Sequence, residues 1–208
     1  VNRYEGATNT SLPEDEHLVE IGGTWRPLTN LLANLTVGME NRLNDSEIAD
    51  FDETSFPVTV TLWYAPTPAW SFSAGYGFYS NWIEQDILFP SDDPQTETWN
   101  RSRWDYGGHF RVLSVGAAYV WTPTVTLSGG LQLVSANNSI ETLELWPDLA
   151  DYSDVIVDRT RVTAAVDGQL RERLSAYFRY RFEEYLDESA EYNSGTAHMC
   201  LLGLSAAY

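Results

Sequence analysis

The feature that most constrains this chain is a strict two-residue alternation, clearest at 70–78. Trp70, Phe72, Ala74, Tyr76 and Phe78 fall on one side, and Ser71, Ser73, Gly75 and Gly77 on the other. A period of two is the period of a β-strand, whose successive side chains point to opposite faces. An α-helix cannot segregate such a pattern. The same reading recurs eight times, around 18–26, 30–40, 57–65, 109–121, 124–136, 155–167, 173–185 and at the C-terminus. In each, one side is aliphatic or aromatic and the other is small or polar. Val58, Val60, Leu62 and Tyr64 oppose Thr59 and Thr61, and Cys200, Leu202, Leu204, Ala206 and Tyr208 oppose Met199, Gly203 and Ser205.

Length sharpens the fold class. The predicted strands run to about 9–13 residues, against about 5–6 for strands in globular proteins and roughly 9–11 for strands that cross a bilayer. The connections alternate between two kinds. Four are short, at 27–30, 66–68, 122–123 and 168–171. Four are long and acidic, at about 41–55, 82–103, 137–153 and 186–196. The second carries Glu84, Asp86, Asp92, Asp93 and Glu97, and the third Glu141, Glu144, Asp148 and Asp151. Short turns at one end and long loops at the other are the layout of an outer-membrane barrel. The expected fold is therefore an all-β antiparallel transmembrane β-barrel, with residues 1–208 as a single barrel domain or segment. The expected location is the bacterial outer membrane, with the acidic loops extracellular and the turns and C-terminus periplasmic. Strand parity makes residues 1–6 the top of one earlier strand. About 9–10 strands are then in view, and the chain reads as the C-terminal part of a larger barrel.

Composition excludes several functions. The formal net charge of -18 argues against nucleic-acid binding. Cys200 is the single cysteine, so an internal disulfide is impossible. His17, His109 and His198 have no metal-ligand spacing, and no CxxCH haem-attachment motif is present. No GxSxG or other nucleophile context accompanies the Ser, His and Asp residues. The expectation is no catalytic residue, no metal and no cofactor bound by the chain itself.

Two sets of residues carry functional expectations. Trp25, Tyr64, Trp70, Tyr119, Trp121 and Tyr208 read as membrane-interface aromatics, and Trp25, Tyr64 and Trp121 each precede a turn proline, Pro27, Pro66 and Pro123, by two positions. Arg159, Arg161, Arg179 and Arg181 fall on the polar side of two consecutive strands. With a turn at 168–171, Val162 faces Phe178, Arg161 faces Arg179 and Arg159 faces Arg181. Like charges directly opposite are unfavourable. One reading is a basic patch on the lumen wall that steers anions or docks an acidic partner. The other is a structural ladder with Asp158, Glu183 and neighbouring acids such as Glu20.

The C-terminal alternation ending on Tyr208 resembles the strand signal that the outer-membrane assembly machinery reads. The Tyr64-Ala65-Pro66-Thr67 and Trp121-Thr122-Pro123-Thr124 turns, the acidic loops and Gly195-Thr196-Ala197-His198 resemble the MtrB/PioB group of porin sheaths. That resemblance implies an outer-membrane conduit around a multihaem cytochrome, with haem supplied only by the partner. A passive porin for small solutes is the alternative within the class. A structural or adhesive barrel, using Trp99, Trp104 and Trp146 in its loops, is a second reading. A soluble ligand-binding barrel is a third, and its interior is too small for the many aromatics.

Overall fold

The computed structural model describes residues 2–3, 13–45, 50–90, 99–141, 154–189 and 193–206. They form a single antiparallel sheet of ten strands in sequence order, each bonded to the next. The strands are β1 (Asn2–Arg3), β2 (Asp15–Leu28), β3 (Leu31–Asp45), β4 (Asp50–Thr67), β5 (Trp70–Pro90), β6 (Trp99–Thr122), β7 (Val125–Glu141), β8 (Val155–Arg171), β9 (Leu174–Asp187) and β10 (Gly195–Ala206). The two-residue β1 pairs with the start of β2, Asn2 opposite Glu16 and Arg3 opposite Asp15, where the sequence places the top of an earlier strand.

The alternation survives intact in the register. Trp70 faces Tyr119, Phe72 faces Ala117 and Tyr76 faces Leu113, so like sides meet across β5 and β6. Leu131 faces Val162 across β7 and β8, and Val162 faces Phe182 across β8 and β9. The sheet thus has an aromatic face and a small-residue face, the latter interrupted by Trp63, Tyr79 and Tyr177. Close packing accompanies the pattern. A Cβ on Gly203 would overlap the ring of Tyr177, and one on Gly107 would approach the Trp82 ring to 2.9 Å. Each aromatic lies over a glycine of the neighbouring strand.

One end of the sheet carries four two-residue turns, Thr29-Asn30, Pro68-Ala69, Pro123-Thr124 and Glu172-Arg173. Each is preceded by a register shift, between Trp25 and Leu28, Tyr64 and Thr67, Val120 and Thr122, and Gln169 and Arg171. Pro27 and Pro66 lie inside these irregularities, where a residue without an N–H disturbs no ladder bond.

The opposite end corrects the sequence reading. The stretches expected as acidic loops at 41–55 and 82–103 are largely strand, those at 137–153 and 186–196 are strand at their ends, and the connections shrink to 46–49, 91–98, 142–154 and 188–194. The added length is held by charge pairs across strands. Arg42 Nη1 lies 3.2 Å from Glu53 Oε2, and Arg101 Nε lies 2.6 Å from Asp86 Oδ2. Arg103 pairs with Glu84. Such pairs join residues distant in sequence, so local polarity reads as loop.

The β8–β9 turn is a second correction. It lies at Glu172-Arg173 rather than 168–171, and Gly168 stays in the ladder opposite Ala176. Arg161 therefore faces Glu183, not Arg179, and Arg159 faces Tyr185, not Arg181. Val162 faces Phe182 instead of Phe178. The like-charge juxtaposition expected from the sequence does not occur.

The sheet has no core. Among the described residues Phe51 is the only buried hydrophobic side chain, while Leu35, Val60, Leu62, Phe72, Leu113 and Phe178 are exposed. Among the described residues nothing packs on either side of this single layer, which leaves its apolar face unburied. The sheet is also open, since β1 and β10 are its edges.

The register is testable by disulfide formation. With Cys200→Ser as background, V162C with F182C is expected to oxidise to a disulfide seen as a gel shift. V162C with F178C is expected to stay reduced, because directly opposed residues meet the geometric requirement and residues four positions out of register do not.

Candidate functional site

The small-residue face is built from the inward-pointing half of each alternation. Across β5, β6 and β7 it holds Ser71, Ser73, Gly75, Gly77, Ser114, Gly116, Ser128 and Gly130, a floor without charge. Charge lies to either side of this floor.

On one side are the four arginines, with Arg159 and Arg161 on β8 and Arg179 and Arg181 on β9. The β8–β9 register puts all four on the small-residue face. Glu183 gathers two of them. Arg161 Nε donates to Glu183 Oε2 at 2.9 Å, and Arg159 Nη1 stands 3.7 Å from Oε1. Arg161 Nη1 also donates to Gln132 Oε1 on β7 at 3.4 Å. Arg179 lies over the Tyr177 ring at 4.8 Å and 3.8 Å from Asp167 Oδ1, with 59% of its side chain exposed. Arg181 makes no ion pair within 4.0 Å among the described residues. The arrangement is part ladder and part patch. Arg161 and Arg159 are tied to Glu183, while Arg179 and Arg181 present charge to the space over the sheet.

Of the acids expected to balance them, Glu183 does so, while Asp158 and Glu20 are placed elsewhere. Asp158 points to the aromatic face, since it sits opposite Ser135 and one position from Arg159. Glu20 lies on β2, with β3 to β7 between it and the arginines. Asp167 was not anticipated as a partner, because its role depends on the corrected register.

On the other side of the floor is an acidic group that sequence reading missed. Arg42 is held between Glu40 at 2.7 Å and Glu53 at 3.2 Å. The Tyr79 hydroxyl donates to Glu53 Oε1 at 3.4 Å, and Ser55 Oγ to Glu40 Oε2 at 3.5 Å. Glu40 and Arg42, two apart on one strand, were the available signal. Their partner Glu53 becomes legible only once β3 and β4 are paired.

The aromatic face gathers its large rings near the turn end. Trp25, Tyr64, Trp70 and Tyr119 all sit on that face, and Trp70 packs on Tyr119 at 4.5 Å and on Phe72 at 5.7 Å. Trp121 lies in the register shift beside the third turn and is 64% exposed. Tyr208 lies outside the described residues, as do Ser91, Asp92, Asp93 and Trp146. Trp99 and Trp104, expected in a loop, are in β6. His198 Nδ1 is 2.8 Å from the Tyr180 hydroxyl, and its ring lies tilted against Phe182 at 5.1 Å, an aromatic setting. Among the described residues no group of three His, Cys, Asp or Glu side chains converges on a metal-sized site.

Solved structures decide the fold. A chain of the RagAB peptide importer in its open-open state superposes with a TM-score of 0.57 at 11% identity, over 90% of this chain and 29% of that one. The copper transporter OprC superposes with a TM-score of 0.53 at 13% identity, over 97% of this chain and 35% of that one. Both are outer-membrane β-barrels. The sheet has the fold of an outer-membrane β-barrel. The chain spans about a third of the length of each of these two proteins. No protein-family model matches the chain, and no curated protein matches it by sequence.

The different tethering of the arginines has a measurable consequence. Glu183→Gln removes the charged partner of both Arg161 and Arg159, and is expected to lower urea stability in detergent micelles by about 1–2 kcal/mol. Arg181→Gln removes no such pair, and its effect is expected to stay within about 0.5 kcal/mol.

Proposed function

We propose that the protein forms the wall of a pore or conduit in a bacterial outer membrane. The observation that carries this reading is the coreless sheet with one aromatic face. An exposed apolar surface of this width is suited to lipid and unsuited to water. On β3, β5, β6 and β9 the apolar alternation covers 31–39, 70–78, 113–121 and 174–182. Nine residues at about 3.3 Å each, tilted by roughly 40°, rise about 23 Å, close to the ~25 Å apolar band of outer-membrane barrels. The opposite face, rich in Ser, Thr, Gly and Arg, suits an aqueous or protein-filled lumen.

The turn end then lies in the periplasm, with Trp25, Tyr64, Trp70, Tyr119 and Trp121 at the lipid boundary. The strand extensions, with their charge pairs, rise on the extracellular side. The alternation of Leu202, Leu204 and Ala206 towards Tyr208 serves recognition by the assembly machinery. Within the lumen, Arg179 and Arg181 give one wall a local positive potential that favours anions or acidic partner surfaces.

The finer reading is a sheath around a multihaem cytochrome. It is favoured by the uncharged floor of β5 to β7, where Gly75, Gly77, Gly116 and Gly130 leave room for a folded partner close to the wall. Haem would enter only with that partner. A passive porin, with the same floor lining open water, is the second reading.

Protein purified from outer membranes and placed in planar bilayers separates these. An open pore is expected to conduct, and Arg179→Glu with Arg181→Glu to move its reversal potential towards cations. A sheath is expected to co-purify with a haem absorbance band and to conduct little until the partner is removed. A protein that neither inserts nor conducts, with or without a partner, contradicts the proposal.

A further inference from the structure

The two open sides of the sheet have the same polarity. The chain descends β2 from the connection end to the turn end, and after eight reversals it descends β10 the same way. Among the described residues, the outer edge of β2 is covered only at Asp15 and Glu16, by β1. Among the same residues no strand pairs with the outer edge of β10 along Gly195–Ala206.

If the sheet spans lipid, as proposed above, these edges cannot remain open. Backbone N–H and C=O groups have no partner in the hydrocarbon layer, so spanning strands must close. β2 and β10 cannot close on each other, because side by side they would run parallel in a sheet whose every other pairing is antiparallel. The same argument excludes a direct β2–β10 junction with a second copy. In one membrane orientation its β2 and β10 also descend, so either junction would again be parallel.

The side chains at the edges point to a missing neighbour. On the aromatic face Ile21, Leu202 and Leu204 are 75%, 78% and 72% exposed, against 38% for Val60 and 41% for Leu62 in the interior of the sheet. On the small-residue face, Leu18 of β2 and Met199 and Leu201 of β10 are exposed apolar side chains, while the residues opposite them on the adjacent strands are the charged Glu40, Arg181 and Arg179. β10 contains no proline, lysine or arginine, the usual guards of a strand that stays unpaired.

We infer that β2 and β10 are the two lips of one seam, filled by an odd number of further antiparallel strands. The strand against β10 ascends from the turn end to the connection end. It carries aliphatic or aromatic residues towards lipid, and apolar residues inward at the level of Met199 and Leu201. β1 is an ascending strand of this kind at the other lip.

Photo-crosslinking in the full-length protein tests this. A benzophenone amino acid replaces Met199, Leu201 or Ser205 in turn, and crosslinked peptides are sequenced from outer membranes. The three probes are expected to capture one strand in reverse order. The Ser205 probe should catch a residue about six positions earlier in that strand than the Met199 probe, because antiparallel partners pair one to one. Capture in the same order, capture of β2 from either the same or a second copy, or lipid adducts alone would overturn the inference while leaving the membrane reading intact. Recovery of the protein in the soluble fraction would overturn both.

Discussion

Everything in this structure depends on one unmet requirement, the need of the aromatic face for an apolar surround. A water-soluble sheet buries such a face against a second layer. Here no second layer exists among the described residues, and Phe51 alone is a buried hydrophobic. Pairing between strands supplies the hydrogen bonds, but it cannot supply the burial. Bilayer hydrocarbon can, and it imposes the complementary demand that every backbone polar group be paired within the sheet. Long strands, two-residue turns and the polarity of the two edges are consequences of meeting both demands together.

The small-residue face answers a different constraint. A face turned away from hydrocarbon need not bury apolar area, so its side chains are free to carry charge or to be absent altogether. Glycines and serines on β5 to β7 keep the wall flat and uncharged. The acids and Arg42 on β3 and β4 and the arginines on β8 and β9 stand on opposite sides of that floor. Where a charge has a partner across strands, as Arg161 has Glu183, it also helps fix register, since a slip of one residue would turn the whole strand over.

The fold was legible because alternation is local. The nine strands that span the sheet could be read from residues such as Trp70 to Phe78 or Val58 to Tyr64 without knowing their neighbours. What depended on pairing was not legible. Gly168-Gln169-Leu170-Arg171 has the look of a turn, yet Gly168 and Gln169 stay paired in the ladder and the chain reverses at Glu172-Arg173. That displacement moved Arg161 from Arg179 to Glu183 and turned an expected repulsion into an ion pair. The acidic stretches misled for the same reason. Arg101, Arg103, Glu84 and Asp86 read as loop residues singly and as a ladder only when β5 and β6 are aligned. The site is thus half visible in sequence: residue types, faces and Glu183 as an arginine partner could be read, while the pairing of Arg179 with Asp167 and of Arg42 with Glu53 could not.

The most direct measurement of the central claim is a nitroxide scan along β5, placing a spin label at each position of 71–78 in turn in a Cys200→Ser background, with the protein reconstituted in phospholipid vesicles. Collision with oxygen reports lipid, and collision with a water-soluble nickel chelate reports an aqueous or polar environment. The account predicts a two-residue oscillation, with oxygen favoured at Phe72, Ala74, Tyr76 and Phe78 and the opposite phase at Ser71, Ser73, Gly75 and Gly77. An inverted phase, or water accessibility at the even positions equal to that at the odd ones, would contradict it.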